Sequence, residues 1–145
     1  MTLEQKRAAK AFEDVTTLAR SYDEGSAERK SYGSLALKLP ALVRTAGLCQ
    51  ALYFLDSRDK GSPDDTPAKA PPSKTLLRHL AGQLSRIDDA IDGTSDSLLA
   101  RVRSAELADY LRLSRETIAV ANWYSRLTRS ILKVEPTDDA GGEKK

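Results

Sequence analysis

Apolar residues recur at steps of three and four along most of the chain, the spacing that gathers side chains on one face of a 3.6-residue helix. The longest run is Ser104 to Val134, where Leu107, Tyr110, Leu113, Thr117, Val120, Tyr124, Leu127, Ile131 and Val134 form one stripe. It predicts a C-terminal helix of about 46 Å, N-capped by the Ser104 hydroxyl, with no Gly or Pro before Pro136. A first helix is predicted from Leu3 to Tyr22. Thr2 and Gln5 form its capping box, and Ala8, Ala11, Phe12, Val15, Leu18, Ala19 and Tyr22 make its apolar face.

Ser26 caps the next helix, whose buried side is Tyr32, Leu35, Ala36, Leu39, Leu42, Val43 and Ala46. Pro40 is expected to kink or restart it, and Gly47 to end it before a short apolar helix from Leu48 to Asp56. Ser73 or Lys74 opens a further helix with Leu76, Leu77, Leu80, Leu84, Ile87 and Ile91 buried, and another short helix runs from Ser95 to Arg103. The expectation is an all-α fold: a compact single-domain helical bundle over residues 1–134 with a long C-terminal helix. Residues 57–73 hold four of the six prolines and read as a flexible loop within it; 135–145 reads as a disordered polar tail. A chain of 145 residues suits one domain that buries about two thirds of its unfolded surface.

Charge adds a second pattern. The formal net charge is only +2 although 30% of residues are charged, so the position of charge matters more than its sum. On the C-terminal helix Arg112, Arg115, Asn122, Arg126, Arg129 and Lys133 lie roughly 150° from the apolar stripe. The five cations among them are either an ordinary solvated face or a rail for a polyanion. Lys6, Arg7 and Lys10 sit early in the first helix, where the dipole disfavours cations, and no stability rationale for them is visible in the sequence. Lys30, Ser34, Lys38, Ala41 and Arg44 form the polar face of the second helix, small residues between cations, as a phosphate-binding groove or a plain exposed face would have.

Catalytic chemistry is not evident. No Gly-rich phosphate loop, HExxH, CxxC pair or GxSxG occurs. Asp88, Asp89, Asp92, Gly93 and Asp96 resemble a calcium loop only until Ala90 and Leu99 fall at two ligand positions, so a turn is the better reading. His79 is the single histidine and reads as a surface residue on a polar flank, and neither a metal nor a cofactor is expected. Cys49 cannot form an internal disulfide, and the first residues carry no secretory pattern, which points to a cytoplasmic protein. An enzyme is not expected; a binding or assembly module is.

Two stretches carry a family resemblance. Tyr32 to Ala36, then Lys38, Leu39, Pro40, Arg44, Gly47, Leu48, Gln50, Ala51, Leu52, Phe54 and Leu55 form one motif; Tyr110, Leu113, Arg115, Glu116, Ala121, Asn122, Trp123 and Arg126 form the other. With the opening run from Gln5 to Val15, the chain resembles the small subunit of the type III-B (Cmr) CRISPR RNA-silencing complex. The resemblance implies a non-catalytic helical-bundle subunit that stacks in several copies beside the backbone subunits and the large subunit. It also implies that the protein helps to hold the CRISPR guide RNA and its target RNA. Under that reading the RNA-facing candidates are Lys6, Arg7, Lys10, Lys38, Arg44, Arg112, Arg115, Arg126 and Arg129, with Trp123 and Tyr32 serving packing or a subunit interface. The alternative is a helical protein–protein adaptor that binds no nucleic acid.

Overall fold

The computed structural model describes residues 1–61, 65–66 and 69–136. Among these there are six α-helices and a closing π-helical turn, and no strand: α1 Leu3–Ser21, α2 Ala27–Ala46, α3 Leu48–Arg58, α4 Pro72–Leu84, α5 Ser95–Ser104, α6 Leu107–Leu127, with the π turn over Thr128–Leu132. The all-α expectation with a long C-terminal helix therefore holds. The tail from 137 to 145 and parts of the 57–73 loop lie outside the described residues.

Local chemistry explains most boundaries. Thr2 and Gln5 form the capping box of α1, with Gln5 N to Thr2 Oγ1 at 3.1 Å and Thr2 N to Gln5 Oε1 at 2.8 Å. Ser26 caps α2 by accepting from the Arg29 amide at 3.2 Å. Gly47 separates α2 from α3 at φ 94°, a conformation that glycine adopts without a Cβ penalty, and its amide returns to the Val43 carbonyl. Thr94 caps α5 through the Ser97 amide.

Four boundaries differ from expectation. α2 runs on through the buried Pro40, so the lost amide neither ends nor restarts it. α4 begins at Pro72, whose missing N–H costs nothing in a first turn, and it stops at Leu84 while Ile87 and Ile91 continue in turns. Ser104 is not the cap of the last helix: it closes α5, its hydroxyl donating to the Ala100 and Arg101 carbonyls, and α6 starts behind Glu106. The described final helix with its π turn is therefore about 39 Å long. Leu107 and Phe12, expected on core faces, are 72% and 56% exposed.

Helix α4 lies at the centre, packed against α1, α2, α3, α5 and α6. Burial on several faces explains why it hides Ser73, Thr75, His79 and Gln83 beside Leu76, Leu77, Leu80 and Leu84. α6 packs on α2, α1 and α4 through Leu113, Val120 and Tyr124, all without solvent exposure. Each such fully buried large apolar side chain contributes about 1.5–3 kcal/mol.

The chain end locks this arrangement. Lys133 turns into the left-handed region at φ 62°, and Val134 comes back onto α2, where a Cβ on Gly33 would stand 2.7 Å from Val134 Cγ1. Only glycine leaves room for that contact. Nearby, the buried Arg29 guanidinium donates to the carbonyls of Ala19, Tyr22 and Leu132, joining the end of α1, α2 and the C-terminal turn.

Candidate nucleic-acid interface

The nine cations predicted as RNA-facing do not form one surface class. Arg7 makes a bidentate pair with Glu116, Nε to Oε2 at 2.8 Å and Nη2 to Oε1 at 2.7 Å, and Arg86 adds a third contact to Oε2 at 3.2 Å. Glu116 is 6% exposed, so this is a charge-assisted clamp between α1, the turn after α4, and α6. Its hydrogen bonds hold Arg7 above the ordinary guanidinium pKa. Lys10 binds Asp14 at 2.6 Å. Arg112 donates to the Ile87 carbonyl at 2.9 Å and lies 3.4 Å from Asp88 and 3.5 Å from Asp109. Arg7 thus has a structural rationale that helical spacing does not disclose, and Lys10 one that lies in its own helix, as an i,i+4 ion pair.

Lys6, Arg44, Arg115, Arg126 and Arg129 are exposed and pair with no carboxylate among the described residues. Lys38 is exposed on α2 and makes contacts of its own. Arg115 and Arg126 of α6 and Arg129 of the π turn that continues it form one outer row, with Ala119 and Asn122 between them, over a rise of about 21 Å. Unpaired guanidiniums at helical intervals offer the planar donor forks that suit phosphate oxygens.

Behind this row lies a buried polar node. Asp14 accepts from Tyr124 Oη at 2.6 Å as well as from Lys10, and Gln83 Nε2 donates to Tyr124 Oη at 3.2 Å and to the Arg7 carbonyl at 3.1 Å. His79, expected at the surface, is only 6% exposed because α4 is central. Its Nδ1 lies 2.7 Å from Tyr32 Oη, and its ring stacks on Tyr124 with centroids 5.9 Å apart. Burial lowers its pKa to about 4, opposed by Asp14 and assisted by Arg78 and Lys10. A neutral imidazole is thus the form that accepts the buried Tyr32 hydroxyl, whose own pKa burial pushes well up. Tyr32, at 0% exposure, packs as expected.

The node is structural in its geometry: each member is tied to another, and no group of three or more His, Cys, Asp or Glu able to hold a metal occurs among the described residues. The turn reading of 88–94 also holds. Asp92 accepts from the Thr94 amide and hydroxyl, and Asp88 accepts from the Ala90 amide, Arg101 and Arg112. Burial alone would raise the Asp88 pKa, but the Ala90 amide and the Arg101 guanidinium bring it below the ordinary carboxylate value. Among the described residues no helix is long and apolar enough to cross a membrane.

Asp14, Gln83 and Arg86 are not marked by the sequence, and Glu116 only as a motif position without a role. Each is a polar residue whose partner is distant in the chain, 109 positions away for Arg7 and Glu116, and helical periodicity carries no signal for such pairs.

Comparison with known proteins gives a consistent answer. The family described as CRISPR-associated protein (Cas_Cmr5) matches residues 3–131. A protein of Thermus thermophilus named CRISPR system Cmr subunit Cmr5 is 39% identical over 132 residues, covering 91% of this chain and 97% of the relative. The crystal structure of a CRISPR-associated Cmr5 family protein from the same organism superposes with a TM-score of 0.71 at 37% identity, covering 90% of this chain and 97% of that one.

Proposed function

The chain belongs to the Cmr5 family of CRISPR-associated proteins, and from that premise we propose that it is the non-catalytic small subunit of a cytoplasmic type III-B (Cmr) effector complex. In this reading several copies stack beside the backbone subunits and help to hold the guide RNA and target RNA. The single observation that carries the RNA part is the row of Arg115, Arg126 and Arg129 along α6 and its π turn, without a carboxylate partner among the described residues. Base pairing between two RNAs already supplies sequence information, so such a subunit needs spaced cations rather than base-specific pockets. Each copy offers few phosphate contacts, and stacking raises their joint effect through effective concentration.

A protein-adaptor reading without RNA contact draws on a different feature, the mainly apolar groove between α2 and α3 where Leu35, Leu39, Leu42, Phe54 and Leu55 lie beside Lys38 and Thr45, with Phe54 40% exposed. Reconstitution with the partner subunits and guide RNA separates the two. Reversing Arg115, Arg126 and Arg129 to Glu, with circular dichroism confirming retained helicity, is expected to leave assembly intact and reduce salt-sensitive target-RNA retention. Retention equal to wild type at every salt concentration would favour the adaptor.

A further inference from the structure

The groove between the start of α1 and the middle of α6 contains the single tryptophan of the chain. It has a volume of about 650 Å³ and is lined by Glu4 and Arg7 from α1 and by Ala119, Asn122, Trp123 and Arg126 from α6. The α6 residues follow at i, i+3, i+4 and i+7, so they share one face. Trp123 is half-buried: it packs against the core and also borders this groove. Among the described residues neither its indole N–H nor the Asn122 amide nor the Arg126 guanidinium has a hydrogen-bond partner.

The lining discriminates between occupants. An apolar helix or peptide would meet only Trp123 and Ala119 as apolar walls, and would leave Asn122, Glu4 and Arg126 to be desolvated without partners. A nucleobase suits all of them. Its face stacks on an indole, Ala119 leaves room for close approach, and the Asn122 amide supplies a donor and an acceptor for a base edge. Arg126 supplies charge for the attached phosphate. Glu4 in the lining opposes an anion and Arg7 is already neutralised by Glu116, so the phosphate falls to Arg126, whose guanidinium has no carboxylate partner among the described residues.

We propose that this groove binds one single-stranded nucleobase of an RNA, stacked on Trp123, with its phosphate on Arg126. The proposal rests on the RNA reading above and gives it a base-stacking contact that is insensitive to salt, beside the salt-sensitive arginine row.

The lone tryptophan makes the test direct. The full-length protein is titrated with a fluorescein-labelled mixed-sequence 12-nucleotide RNA at about 50 mM salt, where phosphate contacts are strongest, reading label anisotropy and, with unlabelled RNA, indole emission. Binding is expected to quench the emission. Trp123→Leu is expected to weaken affinity by about 5- to 100-fold, the usual range for one stacked base, and Trp123→Phe to retain most of it. The slope of affinity against salt should not change in either variant, and circular dichroism checks that both stay helical. RNA binding with unchanged indole emission and a Leu variant as tight as wild type would overturn the stacking site and leave the RNA reading intact. Absence of any anisotropy change would overturn the RNA reading itself. An indole signal that follows protein concentration without RNA would show a second copy of the chain in the groove and overturn the proposal.

Discussion

Helix α6 carries charge on two sides that meet opposite fates. On its inner side Glu116 clamps Arg7 and Arg86, and at its start Asp109 helps Asp88 to hold Arg101 and Arg112. On its outer side Arg115, Arg126 and Arg129 have no carboxylate opposite them among the described residues. Helical spacing is alike on both sides. What differs is whether a carboxylate faces the cation, from another element as for Arg7 or partly from the same helix as for Arg112, and a cation paired in this way contributes to the fold. The inner side should therefore govern stability and the outer side binding, and each can be perturbed alone.

The largest effect is expected from Asp14→Ala. It removes the acceptor of both the Tyr124 hydroxyl and Lys10 in a site where Asp14 is 8% exposed. Loss of a buried carboxylate and the hole it leaves should cost about 3–4 kcal/mol in urea unfolding, while RNA affinity of the folded fraction stays as in wild type. A variant that lost RNA binding at unchanged stability would erase the distinction between the two sides.

Acid should act on the same node with a predictable sign. The folded state holds the His79 pKa at about 4, below its ordinary 6.5, with Asp14, Arg78 and Lys10 as the charged groups acting on it. Below pH 6.5 the unfolded chain takes up a proton that the folded chain refuses until about pH 4. Stability should thus be flat in this respect above 6.5 and fall by up to about 3 kcal/mol across 6.5 to 4. Asp88 works in a separate window: its folded pKa is lowered, so its contribution is present above its ordinary 3.8 and is lost below it. Chemical denaturation at pH 7, 5.5 and 4.5 measures the slope, and His79→Gln should abolish it between 6.5 and 4.

These two perturbations fall on residues that one-dimensional reading places least well. Periodicity locates the helices because a single face must be apolar, and the capping box at Thr2 and the glycine stop at Gly47 are short-range signals. His79 is misplaced by a two-sided pattern for α4, whereas a central helix buries polar residues too when partners from other helices satisfy them. Ser104 fails as a cap for a related reason: the break between α5 and α6 is set by how two helices pack, and no Gly or Pro marks it. The exposed row Arg115, Arg126 and Arg129 is legible as a pattern. Its separation from Arg7 is not, since that rests on a tertiary pair; Lys10 and Arg112 have local partners as well, Asp14 at i+4 and Asp109 at i−3, and Arg112 adds the distant Asp88.

On the outer side, Arg115→Gln/Arg126→Gln/Arg129→Gln should weaken single-stranded RNA binding by about 10- to 100-fold at low salt. It should also reduce the slope of log affinity against log salt by about 2, at roughly 0.7 for each phosphate that is no longer neutralised. The melting temperature should shift by no more than about 2 °C, because exposed side chains without partners contribute little to folding. A weakened affinity with an unchanged salt slope would mean that these arginines do not meet phosphates.

The smallest effect tests the comparison at its edge. Lys6 lies in the first turns of α1, exposed, with no partner among the described residues, next to the Arg7 that is clamped by Glu116. The positive end of the helix dipole disfavours a cation there, so Lys6→Ala should raise the melting temperature slightly, by about 1 °C, through relief of that repulsion and the better helix propensity of alanine. If Lys6 meets phosphate beside the α6 row, the same substitution should lower RNA affinity about two- to threefold at low salt and leave it unchanged at high salt. Opposite signs for stability and binding from one truncation would mark a cation kept for a partner, whereas Arg7→Ala next to it should lower stability because it leaves Glu116 short of its strongest contact. Lys6→Ala that destabilised the protein, or left low-salt binding untouched, would move Lys6 out of the binding group and leave α1 without an RNA-facing cation.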